Sequence, residues 1–263
     1  MNFLEQVCGA TTRRVQRNKQ LMPSASLERI CENIDDSPSL KAAITRQPGE
    51  GIKAIAEVKR CSPSKGAIRP SLVVEELVRN YQAAGAAAIS VLTEPFFFGG
   101  SLTDLAKAGN SVDLPVLRKD FIFDSYQLLE AKGWGASAVL LIVSILEQAQ
   151  LEGLLHEASR LGLEALVEVH DEQEVARAVE AGADILGINN RNLTTLEVDL
   201  DTTIRLLPLV PREKVTVSES GYSRPDQVAR AMHAGADAIL VGEALAGDDN
   251  PVAALSRLRG FRK

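Results

Sequence analysis

Short apolar runs recur along this chain, and several of them finish in charged or polar residues. The segments IAEVK, LPVLRKD, EALVEVH, ILGINNR and VTVSES close on Glu57 and Lys59, Lys119, Glu168, Asn189 and Arg191, and Glu219 and Ser220. A strand covered on both faces reads as a continuous apolar run. A charge confined to one end therefore marks the end that emerges into a site. The pattern predicts strands near 53–59, 87–92, 115–119, 138–143, 164–169, 184–189, 214–218 and 237–241. Amphipathic stretches between them predict helices near 71–84, 101–109, 124–133, 146–161, 171–181, 199–207 and 224–234, and a last one near 250–260. Asp124, Asp171 and Ser223 stand where N-caps belong, and Pro225 suits a first helical turn.

A weak internal repeat supports this reading. AAGAAAI, KGWGASAV, EAGADIL and HAGADAI each place Gly-Ala at a predicted helix end, just before an apolar strand. Glycine there takes the left-handed conformation that ends the helix, and alanine allows close helix–strand approach. The repeats lie roughly fifty residues apart, two compact βα units each. Eight strands alternating with eight helices predict an α/β fold, a closed parallel (β/α)8 TIM barrel. The rival, an open doubly wound sheet, lacks its usual GxGxxG after the first strand. Residues 1–50 fall outside the repeat and predict an N-terminal helical extension capping a single barrel domain, 51–263. Its Arg13, Arg14, Arg17 and Lys19 are either a solvated basic face or part of a cover that helps hold an anionic substrate.

The length, 263 residues, fits one such barrel, and 45% hydrophobic residues supply its core. A net charge of −6 argues against a nucleic-acid or acidic-membrane partner but leaves a small anionic substrate open. Cys8, Cys31 and Cys61 are scattered, which suits a reducing cytosol. No signal-like apolar region opens the chain, and its longest apolar run is far short of the ~20 residues of a membrane span. A soluble cytoplasmic protein is expected. Without a heptad seam or long apolar stripe, a monomer is expected too.

Strand parity separates the polar strand ends into inward and outward sets. Glu57 and Lys59 share the inward face, as an ion pair or as chemistry, and a Ser-, Lys- and Gly-rich loop follows. Lys119 faces inward while Arg118 and Asp120 face the helical layer. A lysine there can be a Schiff-base nucleophile, a general acid or an anion clamp. Glu168 and His170 share a side, and a histidine in such a loop is more often an anchor than a catalyst. Asn189 and Arg191 share a face, and an arginine fork suits carboxylates. Gly221 and Gly242, after strands seven and eight, let backbone N–H groups approach a phosphate. Glu243 is unfavourable beside a phosphate, so its side chain is expected to turn outward while its amide serves. His156, His170 and His233 occupy unrelated positions, and no metal site is expected. Cys61 lies near Lys59 and Arg60, which would lower its pKa, but no base accompanies it. These residues by themselves fit several phosphate-binding barrels, an aldolase or sugar-phosphate isomerase included, and do not exclude an inactive scaffold.

Taken together and in order, IAEVKRCSPSKG, FFFGGSLTDL, PVLRKDFIFDSYQ, ALVEVHDEQE, ILGINNRNL, VSESGYSRPDQV and ILVGEALA closely resemble the indole-3-glycerol phosphate synthase family. The resemblance spans about residues 52–247. It implies a lyase of tryptophan biosynthesis that closes the ring of 1-(2-carboxyphenylamino)-1-deoxyribulose 5-phosphate with loss of CO2 and water, without a cofactor. It further implies Lys119 as general acid, Lys59 as a carboxylate or phosphate contact that assists dehydration, and Glu168 as acid/base of the later steps. Glu57 and Glu219 match carboxylates that position the lysines. Ser62, Asn189, Arg191 and Ser220 match substrate-binding positions, Phe98 an apolar wall for the anthranilate ring, and Lys59, Gly221, Gly242 and Glu243 the phosphate grip. Glu243 departs from members that carry serine there.

Overall fold

The computed structural model describes residues 2–34, 37–63, 66–248 and 250–260. Eight parallel strands close into a barrel: β1 (Lys53–Val58), β2 (Ala88–Leu92), β3 (Val116–Lys119), β4 (Ala138–Ile142), β5 (Glu164–Val169), β6 (Ile185–Asn189), β7 (Val215–Glu219) and β8 (Ala238–Val241). Each pairs with its neighbours in sequence, and β8 pairs back onto β1. The register levels the strand ends. Leu92 lies opposite Lys119, Ile142 opposite Glu168, and Asn189 opposite Glu219. Side chains that end different strands therefore stand at one height.

Period-2 alternation splits each strand between two cores. Ile55, Leu117, Leu166 and Val217 point into the barrel, joined by small residues such as Ala88 and Ala138. Their neighbours Ala56, Val116, Val167 and Val169 face the surrounding helices. Those helices are α4 (Val74–Ala83), α5 (Leu102–Gly109), α6 (Ser125–Gly133), α7 (Gln148–Arg160), α8 (Glu172–Glu180), α9 (Asp201–Leu206), α10 (Pro225–Ala234), the one-turn α11 (Glu243–Ala246) and α12 (Pro251–Leu258). At the Gly-Ala repeats, Gly85, Gly135, Gly182 and Gly235 all have positive φ, and the alanines after them are buried. Asp124 and Asp171 cap α6 and α8. Ser223 does not cap α10. Arg224 holds that position and Pro225 opens the helix, because Ser223 N and Oγ are both drawn to Gln227 Oε1. The pattern also gave no sign of α11 or of a two-residue hairpin, Cys61–Ser62 with Gly66–Ala67. Both are too short to carry a period.

The first fifty residues form α1 (Phe3–Leu21), α2 (Ser24–Cys31) and α3 (Leu40–Ile44). Asn2 and Glu5 make a capping box that starts α1. Val15, Leu27 and Cys31 pack on Tyr126 and Leu129 of α6. Leu40 and Ile44 join the barrel-interior core from the strand-start end, where Glu164 accepts from Ser39 Oγ and Lys41 N. At the other end the ring of Phe3 meets Phe97 and Phe98 edge-on.

The outward polar residues of β3 form a buried charged network. Arg118 donates to Asp120 Oδ2 at 3.0 Å, Glu130 Oε2 at 3.1 Å and Gln127 O at 2.7 Å. Arg14 of α1 reaches the same Asp120 with two bonds of 2.8 Å, and Thr93 adds a third donor at 2.7 Å. Burial works to raise the Asp120 pKa, but the two guanidiniums outweigh it and hold it below the ordinary range. Removing one member of such a cluster strands the rest. Asp120→Asn is expected to destabilise the fold by about 3–5 kcal/mol, read from chemical denaturation. Because the folded pKa is depressed, the Asp120 contribution is present above the ordinary aspartate pKa and is lost as pH falls through the folded value.

Candidate active site

A cavity of about 440 Å³ opens at the C-terminal ends of the strands, and every strand or the loop just after it supplies lining. At its floor four charges alternate across β7, β3 and β1. Lys119 Nζ lies 2.6 Å from Glu219 Oε2 and 3.7 Å from Glu57 Oε2, while Glu57 Oε1 lies 3.6 Å from Lys59 Nζ. Burial by itself would lower the Lys119 pKa. The carboxylates of Glu219, Glu57 and Glu168 outweigh burial and push it above the ordinary lysine value. Burial is also the largest influence on Glu219. Lys119 opposes it, Glu168 and Glu57 reinforce it, and the pKa rises to about 7. Glu168 goes the other way: burial would raise its pKa, but His170 and Lys119 prevail and lower it.

Two glycines make room for this arrangement. A Cβ on Gly187 would sit 2.2 Å from Glu219 Oε1, and one on Gly242 would sit 2.3 Å from Glu57 Oε1. The sequence pattern marks Gly242 for backbone approach only and does not single out Gly187. A glycine inside a strand is the signal that could have found it.

Above the floor, Asn189 Oδ1 accepts from Arg191 N, and Arg191 donates to Leu196 O at 2.9 Å and Glu243 Oε2 at 3.2 Å. Glu243 thus turns into the cavity and not outward as expected, because the half-buried Arg191 offers it a partner across the strand ends. Ser220 and Gly221 both take positive φ, 68° and 90°, in the turn after β7. A side chain on Gly221 would strike Val198 at 2.5 Å. Phe98 lies beside Phe3 and Phe121, with Lys59 Nζ 6.0 Å from its ring centroid. The buried Glu94 holds this loop by accepting from the backbone N of Phe96, Phe97 and Phe98. Strand periodicity does not single out Glu94; a carboxylate between a strand and FFFGG is its trace in the sequence.

Of the expected site residues, Glu57, Lys59, Phe98, Lys119, Glu168, Asn189, Arg191, Glu219, Ser220, Gly221, Gly242 and Glu243 converge here, Glu219 through Lys119 and the rest as lining. Ser62 is buried in the hairpin and is not part of the lining. Ser64 and Lys65 of the anion-suited loop lie outside the described residues. Arg13, Arg14, Arg17 and Lys19 do not reach the cavity. Arg13 and Arg17 are exposed, while Arg14 and Lys19 bind Asp120 and Asp124. The Cys61 pKa is raised, against expectation, first by burial and then by Glu94, and Lys59 offsets only part of this. Among the described residues no cluster of three or more His, Cys, Asp or Glu could hold a metal ion, and no helix is long and apolar enough to cross a membrane.

The family model for indole-3-glycerol phosphate synthase matches residues 4–258. The chain belongs to the indole-3-glycerol phosphate synthase family. It is 53% identical over 226 residues to the indole-3-glycerol phosphate synthase of a Nocardioides strain, covering 86% of this chain and 84% of that one. It is 50% identical over 233 residues to indole-3-glycerol phosphate synthase 1 of Streptomyces coelicolor, covering 89% and 87%. The Laribacter hongkongensis protein of the same name matches at 42% over 98% of both chains. Among solved structures, 3-hexulose-6-phosphate synthase of Salmonella typhimurium superposes with a TM-score of 0.64 over 80% of this chain and 97% of its own. At 17% identity that likeness speaks for the barrel fold alone.

Gly187→Ala tests the packing of the floor. The far end of Glu219 can yield, so the fold should survive with a melting temperature close to wild type. A displaced Glu219 shifts Lys119 at the cavity floor, and turnover is expected to fall by about 10²-fold, the effect of an ångström-scale misplacement.

Proposed function

We propose that this cavity closes the ring of 1-(2-carboxyphenylamino)-1-deoxyribulose 5-phosphate to give indole-3-glycerol phosphate, CO2 and water, with Lys119 as the general acid. The observation that carries the reading is the state of Lys119, an ammonium held between Glu219 and Glu57 at the floor of the cavity. Its raised pKa keeps it charged at neutral pH. In the first step the aromatic carbon bearing the carboxylate attacks the ribulose carbonyl carbon, and the carbonyl oxygen takes a proton from Lys119. Loss of CO2 then returns its bonding electrons to the ring. Dehydration needs an acid to protonate the leaving hydroxyl and a base to remove a proton from the neighbouring carbon. Lys59 and Glu168 line the same cavity and fill those two roles.

The rest of the lining suits the substrate's ends. Phe98 forms the apolar wall beside the anthranilate ring, and Phe121 and Phe3 support it from behind. Asn189, Arg191 and Ser220 bind the substrate. Gly221, Gly242 and the amide of Glu243 surround the phosphate, with Lys59 as its cation. The Glu243 carboxylate, paired with Arg191, gives way to the anionic substrate. Of the N-terminal extension, the start of α1 acts as a cap beside the mouth, where Phe3 touches Phe97 and Phe98, while α3 closes the strand-start end. The acting species proposed is a monomer, working in the cytoplasm. A Schiff-base aldolase would need a neutral amine at Lys119, which the surrounding carboxylates oppose.

Indole fluorescence should appear when the purified chain meets this substrate, and a folded protein without turnover would refute the assignment. Lys119→Ala should lower kcat by at least about 10²-fold, the worth of a placed acid, in protein that still folds but is less stable because Glu219 loses its partner. Retained activity would remove Lys119 from its role. Arg191→Ala should raise KM by about tenfold, the equivalent of ~1.4 kcal/mol of binding, with a smaller change in kcat. Borohydride added with substrate should trap no adduct.

A further inference from the structure

His170 is the strongly placed group beside the cavity that the scheme above leaves idle. It follows β5 directly, half-buried, with its imidazole set between two carboxylates. Nδ1 lies 3.0 Å from Glu174 Oε2 in the first turn of α8, and the His170 backbone N donates to the same oxygen at 2.8 Å. Nε2 faces the other way and lies 3.3 Å from Glu168 Oε1. Neither Nε2 nor Glu168 Oε1 has a hydrogen-bond partner, so each is a buried polar atom whose nearest charged neighbour is the other. A small rotation would align them.

The arrangement determines the charge of the ring. A neutral imidazole has one N–H and one lone pair, and with a carboxylate at each nitrogen one oxygen would face a lone pair. The protonated ring can donate to both. Burial acts to lower the His170 pKa, but Glu168 and Glu174 outweigh it and raise it to about 10. Glu168 also faces Lys119 from β3, Asn189 from β6 and Glu219 from β7. Lys119 and Asn189 favour the carboxylate. Burial and the like charge of Glu219 favour the protonated acid.

We propose that His170 is a positioning residue of the reaction, an imidazolium strut anchored by Glu174 that keeps the Glu168 carboxylate ionised and aimed into the cavity. The inference rests on the acid/base role given to Glu168 above. A base that must accept a proton from substrate is useless when it already carries one, and burial pushes Glu168 toward that state. His170 counters this from outside the cavity without touching substrate.

The test is the pH profile of kcat for His170→Asn and Glu174→Gln, with Glu168→Gln as control. Removing the imidazolium raises the Glu168 pKa, so the acid limb of kcat should move to higher pH by about one unit, the low end for loss of a neighbouring opposite charge. At neutral pH, where a rise of about one unit still leaves Glu168 ionised, His170→Asn should lose kcat by about tenfold through the lost aim of that carboxylate, below the 10²- to 10⁴-fold of removing an acid/base outright, and KM should stay within about twofold of wild type. Glu174→Gln should shift the limb the same way by less. It also decides the matter if His170→Asn does not fold. An acid limb unmoved in the folded variants, or a change confined to KM, would make His170 a loop anchor only and overturn the inference. Near wild-type turnover by Glu168→Gln would instead remove the acid/base reading of Glu168, and the inference with it.

Discussion

A charge taken out of water must be paired, and the ammonium of Lys119 is the charge around which the upper barrel is organised. Its partners come from strands far apart in the chain, Glu57 on β1 and Glu219 on β7, with Glu168 of β5 adding to the field. Only a closed barrel with its strand ends level can bring them to one point. The demand propagates outward. Glu219 and Glu57 fit only because positions 187 and 242 lack a Cβ. The floor thus holds a protonated lysine and carboxylates of differing proton affinity within a few ångströms. Pushing the pKa values of neighbouring groups apart is how one site supplies both an acid and a base.

The second buried network stands back to back with the first. Arg118 and Asp120 flank Lys119 at the end of β3, and their side chains are tied to α6 and α1 through Glu130 and Arg14. Strand alternation makes this possible: one residue enters the cavity while its neighbours fasten the strand to the helices. Through Arg14, the helix that opens the chain is bonded to the strand that carries Lys119. The aromatic wall has a similar support in Glu94, whose carboxylate gathers three backbone amides and sets the course of the loop bearing Phe98.

Much of this was legible in the residues because the alternation is strict. Parity alone put Glu57, Lys59, Lys119 and Glu168 on the inner face and Arg118 and Asp120 on the outer, and the Gly-Ala repeats marked the helix ends. Pairing was not legible. Lys119 and Glu219 are 100 residues apart and Arg14 and Asp120 are 106 apart, so their contacts exist only after closure. Glu243 was expected to point outward because a phosphate was imagined beside it. Its side chain follows a nearer demand, the half-buried guanidinium of Arg191. Ser62, matched as a binding position, lies in a hairpin whose two-residue strands leave no periodic trace. Gly187 looked like one more apolar-strand residue, since what it avoids is a side chain on the neighbouring strand.

The claim on which everything else turns is that Lys119 is a permanent cation before substrate binds. Lysines carrying a 13C label at Cε, with Lys119 assigned by its substitution, would report its titration directly by NMR. Lys119 is predicted to remain an ammonium beyond the pH at which ordinary lysines lose their proton. A Lys119 that titrates below them, near neutral pH, would be a neutral amine suited to a nucleophile, and would contradict the carboxylate-held acid described here.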